Sequence, residues 1–83
     1  MSEAVEVVAR FDESGKVIPR SFVWEGVKRP ILSLGRQWVQ DGDRHFLVMT
    51  GEAQVYELVY RPAEMRWYLL RKPQDLESRS TFA

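Results

Sequence analysis

The sequence predicts an all-β domain, a small antiparallel meander of about six short strands curled into an SH3-like or OB-like barrel. Three observations predict it. Apolar residues alternate with period two through most of the chain, the breaks between runs are short and carry Gly, Pro or Asp, and only residues 31–40 admit a helical spacing. Short connections demand antiparallel neighbours, because a parallel crossover takes about a dozen residues or more. A small sandwich satisfies the same pattern, but a barrel is favoured because curling hides edges that a flat meander exposes.

Each element follows from its own residues. Residues 3–11 place Val5, Val7, Ala9 and Phe11 on one face against Glu6, Val8 and Arg10, and Asp12-Glu13-Ser14-Gly15 is the turn. In KVIPRSFVWEG, an extended run puts Ile18, Arg20, Phe22 and Trp24 on one face. Pro19 cannot donate a ladder hydrogen bond, so the strand starts after it or lies at an edge there. Glu25-Gly26 is the gap of a tight hairpin before VKRPIL, where Pro30 again argues for an edge or a bulge. In ILSLGRQWVQ, Ile31, Leu34 and Trp38 recur at helical spacing, yet Gly35 costs about 1 kcal/mol inside a helix relative to Ala. A strand is preferred, with Leu32 and Leu34 on one face and a bulge or bend at Gly35. Asp41-Gly42-Asp43 is a turn. The stretch HFLVMTGEAQVYELVYRPAEMRWYLLRK, residues 45–72, is a three-stranded meander broken at Gly51-Glu52-Ala53 and at Arg61-Pro62-Ala63-Glu64. One β domain over residues 1–73 and a flexible polar tail over 74–83 complete the organisation.

Composition narrows the class further. The 83 residues allow one core, and with no Cys and a single His neither disulfides nor a metal staples it. Packing must hold the fold, with three Trp, three Tyr and four Phe as its source. The acidic N-terminal stretch MSEAVEVVARFDESGK lacks the basic start and apolar run of a signal peptide, and no segment reaches the roughly 20 apolar residues of a membrane span. A soluble cytoplasmic protein without membrane association is expected. The formal net charge is zero, but residues 16–40 and 65–83 are basic while 1–15 and 41–64 are acidic.

Candidate chemistry is sparse. His45 is the one conventional base, yet no motif supplies a nucleophile or an orienting group around it, so it reads as an ordinary surface histidine. Glu57 shares a strand face with Val55 and Val59, and a cross-strand Arg66 or Arg71 would make it a structural ion pair rather than a catalytic acid. A small enzyme using His45 and a carboxylate is the least favoured class. No catalytic residue, metal or cofactor is assigned. The basic residues Arg20, Lys28, Arg29 and Arg36 interleave with Phe22, Trp24 and Trp38, which suits a single-strand binder with aromatic platforms for bases and cations for phosphates. The ordinary alternative is that Trp24, Trp38 and Trp67 are core. Arg20, Trp24, Lys28, Arg29, Arg36 and Trp38 are therefore the candidates for nucleic-acid or partner binding.

The segments FVWEG, ILSLGRQW, HFLVMT and VYELVYRPAEMRWYLLRK together resemble a small bacterial domain family of unknown function. Members of that family resemble the C-terminal segment of ImuB-type proteins, the inactive Y-family polymerase relatives of the bacterial mutagenesis machinery. Phe22, Trp24 and Gly26 match its first element, Trp38 the second, and Tyr56, Glu57, Leu58, Tyr60 and Trp67 the last. The chain departs from the pattern at Lys28, Arg29, Pro30 and Ile31, and at Pro62, all at strand rims. The resemblance covers roughly residues 16–73. It implies a stand-alone noncatalytic accessory module in DNA repair or translesion synthesis; separately, a monomer or weak homodimer is expected. Its partner would be a polymerase-related protein or single-stranded DNA, with a purely structural or adaptor role as the alternative.

Overall fold

A computed structural model describes residues 3–74. Of the expected flexible tail, 74–83, all but Gln74 lies outside the described residues. Seven strands form, one more than expected: β1 (Glu3–Phe11), β2 (Val17–Trp24), β3 (Val27–Pro30), β4 (Ser33–Gln40), β5 (Asp43–Met49), β6 (Val55–Arg61) and β7 (Arg66–Arg71). They make one antiparallel sheet in the order β3-β2-β1-β7-β6-β5-β4. The all-β, barrel-like fold is as the alternation predicts. Among the described residues no helix is long and apolar enough to cross a membrane.

The topology itself forces the curl. β3 and β4 are the two outer strands, and lying flat they would be about 29 Å apart, six gaps of about 4.8 Å. Only Ile31 and Leu32 join them, and three Cα–Cα steps reach at most about 11 Å. The sheet therefore bends into a half-barrel that brings the start of β4 round to the end of β3. The joining residues tie into both sides: Ile31 N–H donates to the Arg20 carbonyl at 2.9 Å, and Leu32 N–H to the Met49 carbonyl at 2.8 Å.

The turns follow their sequence signals. Glu25-Gly26 and Asp41-Gly42 have positive φ at both residues (54° and 72°, 53° and 83°), the mirror-image turn whose twist matches that of the flanking strands. Asp12 Oδ1 accepts from the Ser14 and Lys16 backbone N–H groups and from the Ser14 hydroxyl, which closes the β1–β2 connection. These bonds, the Ser14 hydroxyl first, hold the Asp12 carboxyl below its ordinary value.

The inner face carries the core: Val17, Phe22, Phe46, Val48, Tyr56, Leu58, Trp67 and Leu69, with Val5, Val7, Ala9, Trp24, Ile31, Leu34 and Tyr60 packed against it. Phe22 meets Tyr56 edge-on at 5.0 Å, and Trp67 lies between Phe46 and Tyr60. Three bulges, however, change which residues face inward. One extra residue reverses the face of everything after it. On β2 the ladder to β1 skips Arg20, so Val17 and Pro19 pair with Phe11 and Ala9 and point inward with Phe22. The expected shared face of Ile18, Arg20, Phe22 and Trp24 is thus corrected: Arg20 is exposed and Pro19, inside the strand, is buried. On β4 the shift falls between Leu34 and Gln37, where Gly35 and Arg36 stand opposite Leu47. Within residues 31–40 the strand runs from Ser33 to Gln40, bulged at Gly35, whereas Ile31 and Leu32 lie outside β4; Leu32 is 69% exposed while Leu34 packs on the core. On β7, Leu70 is the extra residue, between Leu69 opposite Leu58 and Arg71 opposite Glu57.

A candidate anion-facing cleft on the outer face

Two of these bulges build a site. Counting by twos from Leu34, Trp38 would point into the core; the extra residue at Gly35–Arg36 turns it outward. Counting by twos from Trp67 and Leu69, Arg71 would also point inward; the extra Leu70 turns it outward beside Glu57. Trp38 and Arg71 thereby join His45, Leu47 and Glu57 on the outer face.

There His45 and Glu57 are diagonal neighbours across β5 and β6, since His45 pairs with Val59 and Leu47 with Glu57. His45 Nδ1 and Glu57 Oε2 are 2.9 Å apart, and Arg71 Nε lies 3.3 Å from Glu57 Oε1. The indole of Trp38 stacks on the His45 ring at 5.1 Å and 15°. Its N–H donates to Gln40 Oε1 at 3.4 Å, and the Arg36 guanidinium lies over it at 5.2 Å. Roofed this way, His45 and Glu57 keep only 8% and 3% of their surface exposed, although they point away from the core. The expected surface histidine is therefore a buried one, and the expected ion pair of Glu57 forms with Arg71 rather than Arg66. Beside the pair opens a cleft of about 330 Å³ lined by Arg36, Trp38, Gln40, His45, Leu47, Glu57, Leu70 and Arg71.

Glu57 is thus paired on both sides, with the His45 ring at one oxygen and the Arg71 guanidinium at the other. Among the described residues no Ser, Thr, Cys or Tyr side chain lines the cleft, so these residues offer it no hydroxyl or thiol nucleophile. Among the described residues no three His, Cys, Asp or Glu side chains come together as metal ligands.

The six candidates divide between separate places. Arg36 and Trp38 belong to this cleft. Trp24 and Arg29 form a second cluster on the inner face, where Trp24 meets Tyr56 edge-on at 5.8 Å and Arg29 and Lys72 lie over the Trp24 ring at 5.0 and 5.6 Å. The Trp24 N–H donates to Glu3 at 3.3 Å, so this indole packs on the core, as Trp67 does within it. Lys28 and Arg20 are exposed elsewhere, on β3 and at the β2 bulge. His45, Glu57 and Arg71 join Arg36 and Trp38 without having stood among the six; the signal for them was a single buried-parity carboxylate in β6 together with a bulge that hydropathy does not mark. The chain matches no family model, no curated protein and no solved structure.

Proposed function

We propose that this is a noncatalytic interaction module that docks an extended, acidic segment of a protein partner along β4. The difference between the two outer strands of the sheet supports the reading. β3 is four residues long and carries Lys28, Arg29 and Pro30, the short, charged, Pro-bearing edge that resists strand addition. β4 is eight residues long, has neither Lys nor Pro, and pairs only with β5 among the described residues. Its Val39 is 65% exposed. An added strand gains main-chain hydrogen bonds along such an edge and specificity from pockets beside it. The docking rail is thus β4, and not the Pro-containing strand.

Charge selects the occupant. β4 holds Arg36 and no acid, so an acidic segment complements it, whereas a second copy brings like charge against like. The scatter of Arg20, Lys28, Arg29 and Arg36 supports protein docking over a continuous phosphate track for single-stranded DNA. A setting in DNA damage tolerance, with a polymerase-related partner, rests on the resemblance alone and directs which partner sequences to try first.

The test is a titration of acidic strand-forming peptides followed by backbone amide NMR. Shifts concentrated at residues 33–40 are expected, and Val39→Glu should weaken binding about tenfold by setting like charge against the acidic segment. Single-stranded DNA that binds with a steep salt dependence, while every peptide leaves residues 33–40 unmoved, would overturn the reading. Dimers in sedimentation that vanish with Val39→Lys would assign the edge to a second copy instead.

A further inference from the structure

The cleft beside β4 has a composition that a docking edge alone does not require. We propose that it binds one carboxylate group on a short hydrocarbon stem, such as a glutamate side chain. The inference extends the docking reading by naming what the cleft recognises.

The walls define the ligand. Trp38, Leu47 and Leu70 supply apolar surface for a stem, while Arg36 and Arg71 bring planar guanidinium groups that match a planar carboxylate. Glu57 stands at one wall, 3.3 Å from Arg71, and an acidic group there disfavours a dianion more than a monoanion.

The experiment uses propionate, a glutamate side chain without its backbone, titrated into the full chain and followed by NMR. His45 is the only histidine, so its ring signals are unambiguous. The expected result is saturable shifts of the His45 ring and the Trp38 indole N–H. Arg36→Gln, at an exposed position that the fold tolerates, should weaken propionate binding about tenfold. Propionate that moves neither signal, or binds Arg36→Gln as tightly as the unaltered chain, overturns the proposal, as does inorganic phosphate binding more tightly than propionate. Propionate needs no strand pairing, so failure of this site and failure of the β4 edge are told apart: peptides that shift residues 33–40 without moving the His45 ring would leave the edge standing and the carboxylate site refuted.

Discussion

Glu57 illustrates how one buried carboxylate can be held in place by two partners of different kinds. Its two oxygens are divided between a hydrogen bond with His45 and an ion pair with the Arg71 guanidinium, and loss of a buried hydrogen-bond partner costs about 1–3 kcal/mol. Arg71 is 41% exposed at its side chain, so water recovers part of its loss when Glu57 is removed; His45, at 9%, has no such recourse. Glu57→Ala should therefore lower unfolding free energy by at least about 2 kcal/mol in urea denaturation, and more than Arg71→Ala. A second carboxylate behaves differently because it is at the surface. Tyr68 donates to Glu64 Oε1, which holds Glu64 below its ordinary value and, by the same bond and then by burial, lifts the Tyr68 phenol above about 10. The Glu64 contribution is present above the usual carboxylate range and is lost as pH falls through its lowered value. The Tyr68 contribution is present below about pH 10 and is lost as pH rises through its raised value. Glu64→Gln should bring the Tyr68 phenolate absorbance to a lower pH in an ultraviolet titration.

Among the elements, the hairpins were legible and the bulges were not. Asp41-Gly42 announces its turn by residue type, because Asp and Gly accept positive φ in succession, whereas at Glu25-Gly26 only the glycine gives that signal and Glu25 follows it at φ 54°. The alternation from His45 to Lys72 likewise fixes three antiparallel strands, and Tyr56, Leu58, Trp67 and Leu69 do form the core. A bulge leaves no comparable mark: Arg20 and Leu70 are ordinary residues, and only Gly35 carries a composition cue. Since each bulge reverses the faces beyond it, hydropathy alone sends Trp38 and Arg71 to the wrong side and hides the cleft that they line. The ion pair of Glu57 was legible from its strand face; its bond to His45 depends on register, which turns and bulges set together. The two kinds of glycine should separate on substitution. Gly26 has φ +72°, so Gly26→Ala should cost about 1–2 kcal/mol. Gly35 has no positive φ, and an added Cβ meets Leu47 only at 3.5–3.6 Å, so Gly35→Ala should change stability by no more than about 0.5 kcal/mol. Thermal denaturation of the pair checks both.

At the scale of the molecule, the sheet consists of two local ladders, β3-β2-β1 and β7-β6-β5-β4, sharing one seam. That seam is short: β1 and β7 pair only at Glu3–Leu69, Ala4–Tyr68 and Val5–Trp67. The core residues come from both ladders, Val17 and Phe22 from one and Phe46, Val48, Tyr56, Leu58, Trp67 and Leu69 from the other. Neither ladder covers its own apolar face, which is why the curl matters for stability as well as shape.

The link that imposes the curl is also the point at which the chain could be made in two pieces. Cutting after Leu32 would break no strand and no pairing between strands, since β3 ends at Pro30 and β4 begins at Ser33. Every antiparallel ladder would survive within a fragment except the seam between β1 and β7. The fragments would then be complementing halves, each presenting half of the core, and their reassembly would depend on their concentration. Mixed and followed by Trp67 fluorescence, they should regain the buried emission with second-order kinetics, so that a two-residue connection becomes the handle for a split reporter.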